Sequence, residues 1–129
     1  MRSNMEFGIY SEEKRKKLIK QEIKRLNPLL ENIDSNRKRA FEKLINDAAF
    51  MAVTLEEARA IINRDGIIES YQNGQNQYGY KKSSAVEVYD KMINTYSKIV
   101  KQMCDVLPEN VSAEDPGEEI MKFITGLKK

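Results

Sequence analysis

The chain has no histidine and no tryptophan, a single cysteine, three prolines and six glycines among its 129 residues. Without imidazole, Ser-His-Asp triads, Cys-His pairs and nearly every zinc site are excluded, because histidine is the usual base and ligand near neutral pH. Cys104 has no CxxC neighbour and cannot close an internal disulfide. It is expected to be a small packing residue, and a reducing compartment fits. Long apolar runs are missing too. The longest, Ala48 to Val53, falls far short of a membrane span, and the opening MRSNMEFGIY has no apolar stretch of signal-peptide length. These absences lead to the expectation of an intracellular protein with no cofactor, no metal and no membrane partner.

Carboxylates do not rescue an enzymatic reading. Glu56-Glu57 and Glu118-Glu119 are adjacent pairs on helical patterns. Neighbours on a helix diverge by about 100°, so neither pair faces one substrate atom as acid and base. Both are expected to be solvated, the second at a helix N-terminus. Gly74 to Ser83 follows a strand pattern and precedes a helix, as a phosphate-binding loop would, but Tyr80 separates Gly79 from Lys81. The phosphate loop needs its lysine directly after the second glycine. No enzyme is expected.

What is present in quantity is charge, at 33% of residues with a net +2. The sum hides a gradient. Residues 1–43 carry 12 Lys/Arg against 7 Asp/Glu, residues 44–108 carry 7 against 8, and residues 109–129 carry 3 against 5. A basic front and an acidic tail suit a polyanion at one end and a protein at the other, while a solvated helix surface explains the same lysines without any partner.

The periodicity predicts a mainly α fold: a long antiparallel helical hairpin with a short β-ribbon at its tip, plus a basic N-terminal helix and a short C-terminal helix. Residues 1–10 read as a flexible arm. Ser11 caps a first helix that runs to Leu26, where Asn27-Pro28 stops it. Its apolar stripe is Leu18, Ile19, Ile23 and Leu26, and its other surface holds Lys14, Lys16, Lys17, Lys20, Lys24 and Arg25. Such a helix can dock by one side and offer the other to phosphates. Asp34 or Ser35 caps a second helix, from about 36 to 65, with Gly66 as the left-handed residue past its end. Phe41, Leu44, Ile45, Ala48, Ala52, Leu55, Ala58 and Ile62 follow the helical repeat. The band at 48–53 is apolar nearly all round, which predicts that it is part of a subunit interface. Ser84 and Glu87 read as a capping box for a third helix ending before Pro108, with Ala85, Tyr89, Met92, Tyr96, Ile99 and Met103 on one row. Residues 11–108 form one helical domain in this reading. Residues 109–117 are a linker, and Ile120, Phe123, Ile124 and Leu127 make one face of a helix over 118–129. That short helix either docks a partner or packs as a fourth helix.

Between the second and third helices lies GIIESYQNGQNQYGYKKSS. Asn73-Gly74 predicts a two-residue type I′ turn, which needs positive φ at both positions. Pairing outward from it sets Tyr71 opposite Asn76, Glu69 opposite Tyr78 and Ile67 opposite Tyr80. Ile67, Tyr71, Tyr78 and Tyr80 would then share a face that has to lie on the flanking helices or on another copy.

Gly66-Ile67-Ile68-Glu69 with Tyr71-Gln72-Asn73-Gly74, then Gly79-Tyr80-Lys81-Lys82-Ser83-Ser84-Ala85-Val86 and a Tyr/Met/Ile helix, resembles phage terminase small subunits of the group without an obvious helix-turn-helix. The likeness spans about residues 35 to 107. Where such relatives often have Asn-Pro or Ser-Pro before the alanine, this chain has Ser83-Ser84. The resemblance implies a non-enzymatic component of a viral genome-packaging motor in the cytoplasm of a bacterial host cell. It would form a homo-oligomeric ring, bind double-stranded viral DNA, and recruit the terminase large subunit that carries the ATPase and nuclease. On this footing the DNA-binding residues are Lys14, Arg15, Lys16, Lys17, Lys20, Lys24, Arg37, Lys38 and Arg39. The ring interface is Phe41, Leu44, Ala48, Phe50, Met51 and Leu55 with Tyr89, Met92, Tyr96 and Ile99. The large subunit would meet Ile120, Phe123, Ile124 and Leu127. A helical oligomeric scaffold with no nucleic-acid role is the alternative.

Overall fold

The computed structural model describes residues 8–107. The expected linker over 109–117 and the helix over 118–129, with Ile120, Phe123, Ile124 and Leu127, lie outside the described residues, as do residues 1–7 of the expected arm.

Three α-helices and one β-hairpin make up the described chain, which is mainly α. Helix α1 spans Glu12–Leu26, and the Ser11 side chain accepts from the Lys14 N–H at its start. Glu12 and Glu13 in the first turn, and Lys24 and Arg25 in the last, both complement the helix dipole. Asn27-Pro28 ends α1 as anticipated, but the chain continues as a 3-10 segment, Asn27–Asn32, that turns Leu29 into the core. Helix α2 spans Ser35–Asp65, with Asp34 as its cap. At about 1.5 Å per residue it is roughly 46 Å long. Gly66 closes it at φ 92 and ψ 177, a positive-φ conformation that is extended rather than left-handed helical, with its N–H on the Ile62 carbonyl.

Helix α3 spans Ser84–Val106 and packs antiparallel to α2, while α1 folds back along the middle of α2, from Arg15 beside Glu57 to Leu26 in the core with Ile45. The cap of α3 is Ser83, one residue before the expected Ser84, and its hydroxyl accepts from the Val86 N–H. That shift takes Glu87 out of capping-box position. A carboxylate is supplied from outside the helix instead, as Glu69 accepts from the Ser84 N–H at 2.9 Å.

One hydrophobic core lies at the end of the bundle away from the hairpin. Leu26, Leu29, Ile33, Phe41, Ile45, Ala48, Val100, Met103 and Leu107 converge there, with Ile23, Leu44, Tyr96, Ile99 and Cys104 packed around them. The 3-10 segment supplies part of the cover that an isolated hairpin of two helices would lack. Phe41, Leu26, Ile45 and Met103 are fully enclosed, each worth about 1.5–3 kcal/mol of apolar burial.

Strands β1 (Ile68–Gln72) and β2 (Tyr78–Lys82) form the antiparallel ribbon. Its register differs from the expected one. Gln72 faces Tyr78, Tyr71 faces Gly79, Ser70 faces Tyr80 and Glu69 faces Lys81. The loop holds five residues, 73–77, closed by the Asn73 N–H on the Gln77 carbonyl. Gly74 alone in that loop has positive φ, so a type I′ turn, which needs two such residues, does not form. A three-residue slip is odd and exchanges faces. Tyr78 and Tyr80 therefore stand with Ile68, Ser70, Gln72 and Lys82, while Tyr71 lies on the other face. There its ring covers Gly79 so closely that a Cβ at 79 would sit 2.7 Å from the phenol oxygen.

Candidate nucleic-acid interface

The basic residues of α1 are sorted by what the neighbouring elements do with them. Glu57, on α2, is a buried residue rather than the solvated one its sequence context suggested. Its carboxylate accepts the backbone N–H groups of Ile9 at 2.8 Å and Tyr10 at 3.0 Å, and two N–H groups of Arg15 at 2.8 and 2.9 Å. Arg15 foremost, then the two backbone donors, hold the Glu57 carboxyl down to about 2 against the opposing effect of burial. Arg15 is thus a clasp between α1 and α2 and not a cation left for phosphate. Residues 8–10, expected as flexible arm, are docked on the same carboxylate, with Tyr10 buried and its hydroxyl donating to Glu56. Burial, with the Glu56 carboxylate beside it, raises the Tyr10 pKa. No local pattern announces Glu57. The only hint is an acid where helical spacing predicts a half-buried position, 42 residues from its partner.

The other α1 cations point outward. Lys16, Lys17, Lys20 and Lys24 line a shallow groove with Glu13, Ile19 and Gln21 on the surface turned from the core. Steps of about 100° per residue place these four lysines within one side of the helix. Lys16 lies 3.3 Å from Glu12 in an exposed pair, which contributes little. Lys17, Lys20 and Lys24 have no ion-pair partner among the described residues. Lys14 is set apart, its ammonium 4.5 Å over the Tyr10 ring. Arg37, Lys38 and Arg39 are exposed in the first turn of α2, beyond the far end of α1, with Arg37 3.7 Å from its capping Asp34. The predicted DNA-binding set therefore divides into an α1 patch, a separate α2 patch and one residue, Arg15, committed to the fold.

The predicted ring interface divides more sharply. Phe41, Ala48 and Leu55 are buried within the chain, so they are not available to a neighbour. Leu44, Tyr96 and Ile99 pack against the same core, and Met51, Tyr89 and Met92 are half-buried. Burial, with the Glu22 carboxylate nearby, pushes the Tyr96 phenol up to about 12. Tyr89 accepts a hydrogen bond from Arg59 at 3.2 Å. Phe50 alone of the set is widely exposed, at 54%. It lies nine residues from Phe41, which on a helix is half a turn around, so α1 and α3 cover one side of the apolar band and leave Phe50 outside.

Exposed apolar surface is instead concentrated at the other end. Ile67, Ile68, Tyr71, Tyr78, Tyr80 and Val88 are all exposed, and all belong to the ribbon or the first turns of α3. Among the described residues no helix is long and apolar enough to cross a membrane, and no cluster of His, Cys, Asp or Glu is gathered to hold a metal. Comparison with protein-family models, curated proteins and solved structures finds no match.

Proposed function

We propose that this chain is a DNA-binding small subunit of a phage-type packaging terminase, acting as a homo-oligomer that delivers viral DNA to the large subunit. The observation that carries the reading is the outward face of α1. Lys16, Lys17, Lys20 and Lys24 stand together there, and three of them have no carboxylate partner among the described residues. Four phosphate contacts per chain are weak alone, but copies repeated around an oligomer multiply them, and each contact releases counterions. Glu57 and Arg15 support the reading indirectly by fixing α1 to the bundle, so the lysines form a rigid patch. Arg37, Lys38 and Arg39 offer a second, separate basic patch at the start of α2. In this reading the protein works in the cytoplasm of the infected cell, and the segment with Ile120, Phe123, Ile124 and Leu127 engages the large subunit.

One observation favours the competing reading of a helical scaffold without nucleic acid: Phe41, Ala48 and Leu55 are each already buried by other parts of the chain, so these positions need no ring. Passage over DNA-cellulose at low salt, with light scattering on the eluted protein, separates the two. Retention that salt reverses, with a mass well above that of a 14.9 kDa monomer, is expected. Flow-through at low salt contradicts DNA binding.

A further inference from the structure

Among the described residues no further strand pairs with either edge of the ribbon, and Ile68, Tyr78 and Tyr80 on one of its faces are exposed. Tyr78 is 73% exposed and Tyr80 80%, on the face they share with Ile68 and Lys82. The hydrogen-bond pattern shows which backbone groups are unmatched. Ser83 donates to Ile67 and Asn73 to Gln77, so the bonded pairs are 67/83 and 73/77, and by the antiparallel alternation 69/81 and 71/79. The N–H and C=O groups of Tyr78, Tyr80 and Lys82 consequently point away from β1, along a free edge. A two-stranded ribbon is marginal in water, and an open edge is a template for another strand.

We propose that β2 pairs with β2 of a second copy, antiparallel about a two-fold axis at Tyr80, to give a four-stranded sheet. The strand YGYKK is complementary to itself in this register. Tyr80 meets the partner's Tyr80, and Tyr78 meets the partner's Lys82, an ammonium against an aromatic ring, on both sides of the axis. The two Lys82 side chains, which would repel if they met, are held about 13 Å apart by the four-residue offset. Lys82 is also balanced by Asp90 of α3, 3.2 Å away. The only acid of the ribbon, Glu69, is on the opposite face, held by the Ser84 N–H and Lys81. This contact is isologous, so it joins two chains, and in a cyclic assembly it joins two rings rather than neighbours within one. It stands independently of DNA binding.

The test uses the full chain carrying Cys104→Ser, so that disulfides report only introduced thiols. Paired residues at a two-fold lie about 5.5 Å apart at Cα, within disulfide reach. Under copper-phenanthroline in air, Tyr80→Cys is expected to give a covalent dimer, Tyr78→Cys alone none, and a mixture of Tyr78→Cys and Lys82→Cys chains a dimer again. Tyr80→Pro removes the outward N–H and spares the internal ladder, whose bonds belong to Gly79 and Lys81. Its light-scattering mass is expected to fall to half that of the unmutated chain, with helical circular dichroism unchanged. Absence of a crosslink at 80, equal crosslinking at 78 and 80, or an unaltered mass for Tyr80→Pro overturns the proposal.

Discussion

Arg15 grips Glu57 through two parallel hydrogen bonds of 2.8 and 2.9 Å, joining helices whose contact residues are 42 positions apart in sequence. That pair, the Ile9 and Tyr10 N–H groups on the same carboxylate and the apolar stripe of α1 hold the helix against α2. Glu57→Gln keeps the size of the side chain but leaves the Arg15 charge uncompensated. Because Arg15 is about one-third exposed, the expected loss is about 2–3 kcal/mol rather than the full cost of breaking a buried pair. Urea unfolding followed by circular dichroism measures it.

The same pair sets a pH dependence. The Glu57 carboxyl lies at about 2 in the folded chain against an ordinary 4.5, so the unfolded chain binds the extra proton. Its contribution is complete above pH 4.5 and is lost as pH falls towards 2. Stability is expected to drop by about 2 kcal/mol across that window, after allowance for solvent around Arg15, and Glu57→Gln should flatten this part of the profile. An unchanged profile in the variant would assign the acid sensitivity elsewhere.

Phe41 and Phe50 sit on opposite sides of α2, and their substitutions should part company. Phe41→Ala opens a cavity in an enclosed core and is expected to cost about 3–5 kcal/mol. Phe50→Ala removes an exposed ring and should change monomer stability by under about 0.5 kcal/mol. If Phe50 nevertheless meets another chain, the mass measured by light scattering falls while the unfolding midpoint of the monomer stays put.

Gly66 adopts φ 92 with ψ 177, a region that side chains other than glycine hardly enter. Gly66→Ala is expected to cost about 1–3 kcal/mol although no atom crowds the site. A denaturation midpoint unchanged from the parent chain would show that the exit from α2 relaxes freely.

Much of the fold was legible because it rests on local rules. Ser11 and Asp34 are side-chain oxygens at helix starts, Asn27-Pro28 interrupts α1, and Gly66 ends α2, all readable from neighbouring residues. The ribbon was legible as an element but not in register, since Asn73-Gly74 favours a two-residue turn and only the fit of the Tyr71 ring over Gly79 accompanies the longer loop. The cap at Ser83 rather than Ser84 depends likewise on Glu69 from another element. Glu57 and Arg15 were misread because each looks like a surface charge until the other is brought to it. The apolar band at 48–53 reads as part of a subunit interface, and the sequence does not reveal that other elements of the chain bury Ala48, Ala49 and Val53 and leave Phe50 exposed.

The measurement that bears most directly on the proposed function is fluorescence anisotropy of a labelled DNA duplex titrated with the chain across a series of salt concentrations. The unmutated protein should bind with an affinity that falls steeply with salt. The chain carrying Lys16→Gln, Lys17→Gln, Lys20→Gln and Lys24→Gln together should lose about 3–4 from the slope of log K against log salt. Equal affinity and equal slope for the two proteins, or no binding by the unmutated chain at low salt, would contradict the assignment of α1 as a DNA-binding helix.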